Sequence, residues 1–217
     1  MYGYQDGTFS LIPHGLFQTW TGDEPQLGSF HLGRCSTLGV GSIAKYDTYA
    51  RLIVGRYVSG GSRLRFLLNS VHEMRSISMS SFLAWFSGEI THPIPEPFGD
   101  TVVKNDVWIG DETLFLGGSI IENGCVIGSR TLVPGKFRSE PYGVYVGTPA
   151  RLVRFRFPEK VREKLLELSW WDMPQSWLKA NNGAFMADLA GDEGRALEIL
   201  GELVRNRSAA TAVDRAA

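Results

Sequence analysis

A six-residue period between Val103 and Val133 constrains this chain more than any other feature. Large apolar side chains stand at Val103, Ile109, Phe115, Ile121, Ile127 and Val133, and the fifth position of each hexad is small or β-branched: Val107, Thr113, Ser119, Cys125 and Thr131. With glycine close behind, this spacing matches neither a 3.6-residue helix nor a plain alternating strand. It is the period of a parallel β-helix, in which each hexad forms one flat face and one corner of a coil. The large residue of each face fills the bore and the small one packs beside it. Gly110, Gly124 and Gly128 suit corners that need positive φ or close backbone approach. Coils stack at roughly 4.8 Å, and each is stable only when neighbours cover it.

The pattern therefore has to continue, and upstream it does so less regularly. Leu32-Gly33, Leu38-Gly39 and Ala44 keep step, the period slips across 49–53, and Val54-Gly55 resumes it. Gly60 stands where an aliphatic residue is expected, and Phe66 restores the pattern. Residues 1–30, rich in aromatic and turn residues, are expected to form irregular strands over the open end of the stack. Between Leu67 and Thr101 the repeat stops. So long an excursion from a repeat array is either functional or disordered, and its aromatic content argues for order. The expectation is an ordered loop that walls a pocket.

After Pro158 the pattern becomes helical. Pro158 suits the first helical position, Glu159 and Glu163 the first turns, and Val161, Leu165 and Leu168 share one face. Trp170, Trp171 and Trp177 are expected to be packing anchors. A second amphipathic helix is expected from Asp192 to Val204, with Leu197, Leu200 and Val204 on its apolar face, followed by a frayed alanine-rich tail from Ser208. The expected division is a β-helix domain over 1–157, including the inserted loop 67–101, and a helical extension over 158–217.

The composition narrows the class. A net charge of −1 over 217 residues makes no electrostatic case for nucleic acid or an anionic membrane. Two cysteines, Cys35 and Cys125, make no disulfide framework, which favours a reducing, cytoplasmic location. The first residues carry no basic region followed by an apolar stretch, so no secretory signal is expected. No apolar run approaches the roughly 20 residues of a membrane span.

Several motifs then occur in order: the hexads, Asn69-x-x-His72 before Ser78-x-x-Ser81-Phe82, Asp106-Val107-Trp108-Ile109-Gly110, Gly147-Thr148-Pro149-Ala150-Arg151, and Trp170-Trp171-Asp172. Together, over roughly residues 32–178, they resemble the xenobiotic acetyltransferase branch of the hexapeptide-repeat acyltransferases. That branch includes type B chloramphenicol acetyltransferases, streptogramin acetyltransferases and saccharide O-acetyltransferases. The resemblance implies a left-handed parallel β-helix, a homotrimer with active sites between subunits, and acetyl-coenzyme A as acyl donor.

Acyl transfer from a thioester to a hydroxyl needs a base for the hydroxyl proton, donors for the developing oxyanion and a groove for the long carrier. His72 is implied as the general base, an imidazole being partly neutral and basic at pH 7. Val71 precedes it and Glu73 follows, so its orienting partner stays open. Asn69, Glu73, Phe82, Trp85 and His92 are the candidates for binding a small-molecule acceptor. The pantetheine arm would run by Asp111, Ser129, Pro134, Gly135 and Lys136. Arg151 and Arg154 would meet the coenzyme phosphates, which guanidinium groups bind through paired hydrogen bonds. His14 and His31 read as surface or core residues. Amino-group acetylation of a nucleotide-linked sugar, a zinc hydratase and a non-catalytic scaffold remain alternatives. The hydratase would need three histidines converging on a metal, and the candidate region offers only His72 and His92, so no metal is expected.

Overall fold

The computed structural model describes residues 2–3, 9–10, 16–18, 30–45, 50–68, 74–75, 77–79 and 98–216. Strands β1 (Tyr2–Gly3) and β2 (Phe9–Ser10) pair antiparallel. The expectation that residues 1–30 cover an open end otherwise lies outside the described residues.

Three parallel sheets follow, and the chain visits them in rotation. The first face holds β3 (Phe17–Gln18), β5 (Ile43–Lys45), β8 (Arg65–Leu67), β11 (Leu114–Leu116) and β14 (Leu132–Val133). The second holds β4 (Phe30–Leu32), β6 (Leu52–Val54), β9 (Thr101–Val103) and β12 (Ile120–Ile121). The third holds β7 (Ser59–Gly60), β10 (Trp108–Ile109), β13 (Val126–Ile127) and β15 (Gly143–Val146), and β16 (Arg151–Phe155) adds to it antiparallel. Each strand is only two to five residues long because a corner follows every face.

The register aligns the hexads. Val54, Val103 and Ile121 stack on the second face, Ile109, Ile127 and Tyr145 on the third, and Phe66, Phe115 and Val133 on the first. All six expected bore residues from Val103 to Val133 are fully buried, as are the five small fifth-position residues. Burying each large side chain contributes about 1.5–3 kcal/mol. The rings of Phe66 and Phe115 stack at 4.9 Å. The broken first half keeps the same register: Leu32 pairs with Val54, and Ala44 with Phe66. Gly60 is glycine because the slot is already filled. A Cβ there would meet Leu38 Cδ2 at 2.9 Å and Leu64 Cδ1 at 3.1 Å.

Corners rely on left-handed residues. Between the second and third faces they are Cys35, Tyr57, Asp106, Gly124 and Tyr142, with φ of 56, 57, 55, 71 and 60°. For a residue with a Cβ this conformation costs roughly 1–2 kcal/mol, and a side-chain ladder offsets it. Asn123 Oδ1 accepts from Asn105 N–H at 3.0 Å, and Asn105 Oδ1 accepts from Arg56 N–H at 2.8 Å. Gly110 and Gly128, in contrast, serve close approach, since a Cβ would lie 2.4 Å from Ser129 N and 2.8 Å from Val146 Cγ1 respectively.

The extension begins with α1 (Glu159–Leu168). Pro158 is its N-cap rather than its first helical residue, with ψ of 158°, and its carbonyl accepts the Arg162 N–H at 3.0 Å. Val161, Leu165 and Leu168 are buried as expected. A 3-10 turn (Trp170–Asp172), α2 (Gln175–Ala180), a second 3-10 segment (Asn182–Met186) and α3 (Glu193–Ala216) follow. The third helix does not end at Val204. It continues through the alanine-rich tail, in keeping with alanine's helix propensity. Its buried stripe is Ala196, Leu200 and Leu203, rotated from the expected Leu197, Leu200 and Val204, which packs only partly at its two ends. In this orientation Arg207 donates to the Glu167 carbonyl at 2.8 Å and to that of Leu168, tying α3 to the end of α1. Trp171 and Trp177 are buried and Trp170 is half-buried, as packing anchors should be. Two hydrophobic clusters result, one in the bore and one that joins Tyr142 to the helices.

Candidate active site

The corner after the third face carries two of the residues expected along the acyl donor. Glycine directly follows each strand there, at Gly61, Gly110 and Gly128. A Cβ on Gly61 would lie 2.3 Å from Asp111 Oδ1, so only glycine lets successive coils close up at this point. Asp111 and Ser129 are thereby stacked on neighbouring coils, both exposed, with Arg130 N–H donating to the Asp111 carbonyl at 2.8 Å. One Asp111 carboxylate oxygen accepts the Ser62 N–H at 2.8 Å and so is committed to the coil below.

Pro134, Gly135 and Lys136 lie on a different corner, between the first and second faces. Lys136, left-handed at φ 57°, donates its N–H to the Gly117 carbonyl at 3.0 Å. Its ammonium stands 5.5 Å over the ring of Phe98, where the excursion rejoins the coil, a cation–π contact. Arg151 and Arg154 lie on β16, opposite Val146 and Val144. Both are exposed and fold back on main-chain carbonyls, Arg151 on Ala150 at 3.0 Å and Arg154 on Phe155 at 3.1 Å. The structure thus unites Asp111 with Ser129, sets Pro134–Lys136 one corner away, and leaves the two arginines on the last strand.

Arg156 continues the basic alternation but has a different role. Its guanidinium donates to Asp106 Oδ2 at 3.2 Å and to the Gly124 carbonyl at 2.8 Å, and lies 5.6 and 5.0 Å from the Tyr142 and Phe157 ring centres. Burial pushes the Asp106 carboxyl up, against the opposing pull of Arg156. The sequence also concealed the ladder Arg63–Glu112–Arg130, with contacts of 2.6 and 2.7 Å. Both arginines, Arg63 first, hold the Glu112 carboxyl below its ordinary range. Only the coil register brings these three together. Trp108 also stands out: between inward Val107 and Ile109 it points outward and is 59% exposed. Among the described residues no group of three or more His, Cys, Asp or Glu is placed to hold a metal ion, and no helix is long and apolar enough to cross a membrane.

No family model matches the chain. Individual proteins do. The chloramphenicol acetyltransferase of Agrobacterium fabrum (strain C58 / ATCC 33970) is 37% identical over 139 residues, 60% of this chain and 64% of that protein. A probable macrolide acetyltransferase of Lysinibacillus sphaericus is 35% identical over 127 residues, 56% of this chain and 69% of its own length. The chain belongs to the hexapeptide-repeat acyltransferases, in their xenobiotic acetyltransferase branch. The match spans just under two thirds of the Agrobacterium protein. A hexapeptide-repeat-containing acetyltransferase of Vibrio cholerae O1 biovar eltor, solved in complex with acetyl coenzyme A, is 17% identical and covers 71% of this chain and 69% of that one, with a TM-score of 0.41.

In this hexapeptide-repeat acyltransferase the expected acceptor side falls on the excursion. Asn69, His72, Glu73, Phe82, Trp85 and His92 all lie outside the described residues. Of the excursion's interior, residues 74–75 and 77–79 are described, and Met74, Ile77 and Met79 among them are exposed.

Proposed function

We propose that this acyltransferase moves an acetyl group from acetyl-coenzyme A to a hydroxyl of a small acceptor, a saccharide or an antibiotic-like molecule. The observation that carries the reading is the 37% identity to a chloramphenicol acetyltransferase over 139 residues. In the proposed reaction His72 takes the hydroxyl proton while the oxygen attacks the thioester carbon. The carbon–sulfur bond then breaks, and the proton passes to the departing thiolate. Asp111, Ser129, Pro134, Gly135 and Lys136 would line the carrier's path, and Arg151 and Arg154 would meet its phosphates. Both guanidinium groups are exposed and, among the described residues, hydrogen-bond only to main-chain carbonyls, which leaves donors for a phosphate. Asn69, Glu73, Phe82, Trp85 and His92 would bind the acceptor.

The same reading takes the coil as a left-handed parallel β-helix over 1–157 with a helical extension over 158–217, and the protein as a cytoplasmic homotrimer with sites between subunits. Exposed Trp108 on a flat face supports a covered surface in the assembly, since tryptophan is enriched at interfaces. The test is a panel of hydroxyl and amine acceptors incubated with acetyl-coenzyme A, with thiol release as readout and the product's acetylated atom identified. Ester formation is expected. Transfer to amines alone, or coenzyme A binding without turnover of any acceptor, would reject it.

A further inference from the structure

We infer that residues 156–173 act as a strap that closes the coil along one corner and that the lower, irregular coils depend on it to stay folded. The contacts run in order down the corner between the second and third faces. At the top, Arg156 N–H donates to the Tyr142 carbonyl at 2.9 Å, and its guanidinium grips Gly124 and Asp106 on the two coils below. Further down, the Trp170 ring packs against Tyr57 at 4.7 Å, and Arg56 donates to Asp172 Oδ1 at 2.5 Å. At the lower end Arg34 donates to the carbonyls of Trp171, at 3.2 Å, and Met173. The chain after β16 therefore runs back past every coil from Tyr142 to Arg34.

The lower coils are where such a strap matters. In the lowest coil Ala44 stands in the bore beneath Phe66 and Phe115. Cross-coil partners in the lower coils are 22 residues apart rather than the 18 of the regular coils. On the second and third faces the stack of described strands ends at β4 and β7, so these turns are covered by a neighbouring coil from one side only and are held less firmly. Arg34 is suited to the task. It is half-buried, and the carbonyls it meets belong to Trp171 and Met173, whose side chains are buried. Lifting the strap would expose both. Arg56 and Asp172 are largely exposed and contribute less. Strap and lower coils should then open as one cooperative unit, below the free energy at which the upper coils open.

Native-state hydrogen exchange of the full chain against rising denaturant tests this. The Gly33, Gly55 and Tyr57 amides, bonded to Val54, Val103 and Arg34 carbonyls, are expected to share one isotherm with Ser169 and Met173. Gly110 and Gly128 are expected to exchange only at higher free energy. Arg34→Ala is expected to speed exchange at Gly33 and Gly55 by about tenfold or more while sparing Gly110 and Gly128, and Arg34→Lys to restore part of the protection. Separate isotherms for strap and lower coils in the unmutated protein would overturn the inference, and so would equal acceleration of all coils in Arg34→Ala. If Arg34→Ala does not fold, the unmutated isotherms and Arg34→Lys decide.

Discussion

Ile121 sits in the bore with no exposed surface, stacked on Val103. Ile121→Ala is expected to cost about 2–5 kcal/mol in urea unfolding; a loss under about 0.5 kcal/mol would mean the site collapses around the smaller residue. Such residues were legible in the sequence because the six-residue period assigns them to the bore before any tertiary contact is known. The arginines were not. Arg151, Arg154 and Arg156 look alike in sequence, yet among the described residues only Arg156 of the three finds a carboxylate, the half-buried Asp106, 50 residues away in the chain. The two exposed arginines carry a prediction of their own. The Arg151→Ala, Arg154→Ala double variant should raise the KM for acetyl-coenzyme A with kcat nearly intact, as the loss of remote phosphate contacts does. A donor lacking the 3′-phosphate should be much less affected, and equal losses for both donors would reject the assignment. At the candidate base, His72→Ala should lower kcat by about 10²–10⁴-fold and remove the acid limb of the pH–rate profile, while His92→Ala keeps that limb. If His72→Ala retains most of its activity, Glu73 becomes the next candidate.

Corners and helices are where elements depart from what the sequence suggests. A hexad locates a corner without saying which residue turns left-handed, and Asp106, Tyr57 and Tyr142 do so without being glycine. Asp106 gives the corner a pH dependence. Burial raises its carboxyl pKa, so the folded chain keeps the proton to higher pH than the unfolded chain. Its contribution favours folding fully below the ordinary carboxylate pKa of about 3.9 and is lost as pH rises through the folded value. The native protein should therefore exceed Asp106→Asn in stability by more at about pH 4 than at pH 7, compared by urea midpoints. A constant difference would mean Asp106 titrates alike in both states. The stripe on α3 was misjudged for a different reason. Its amphipathic pattern tolerates a rotation of one residue, and in the packed helix, where Arg207 of α3 bonds the Glu167 carbonyl at the end of α1, the buried residues are Ala196, Leu200 and Leu203.

At the scale of the whole molecule, the stacked coil was legible because a repeat needs only its own period to be recognised. The run of the extension back along the coil was not, since Arg34 and Arg56 carry no local mark of their partners near Trp171. The inserted loop, where the acceptor side is proposed, was legible only as a break in the repeat. Assembly is the remaining prediction. Light scattering should give a trimer, and Trp108→Glu should lower the mass without loss of the folded signal in circular dichroism, because Trp108 contributes little to its own chain's core. A native monomer at micromolar concentration would refute the shared site, and an unchanged mass for Trp108→Glu would remove that face from the interface.

The coil register also sets rules for how such a chain can lengthen. Cross-coil partners lie 18 residues apart in the regular turns, 22 where residues are added, and 49 across the excursion. Added residues that leave at a corner, as these do, keep every bore position aligned. A single residue added within a face would reverse inside and outside for the rest of that strand. Duplicating Lys104–Ile121, one full 18-residue turn, should instead extend the stack by about 4.8 Å. It would repeat the Asn105 rung and the left-handed Asp106 without disturbing either neighbour. Growth of this molecule by whole turns is therefore close to neutral, and growth by anything else must be expelled as a loop.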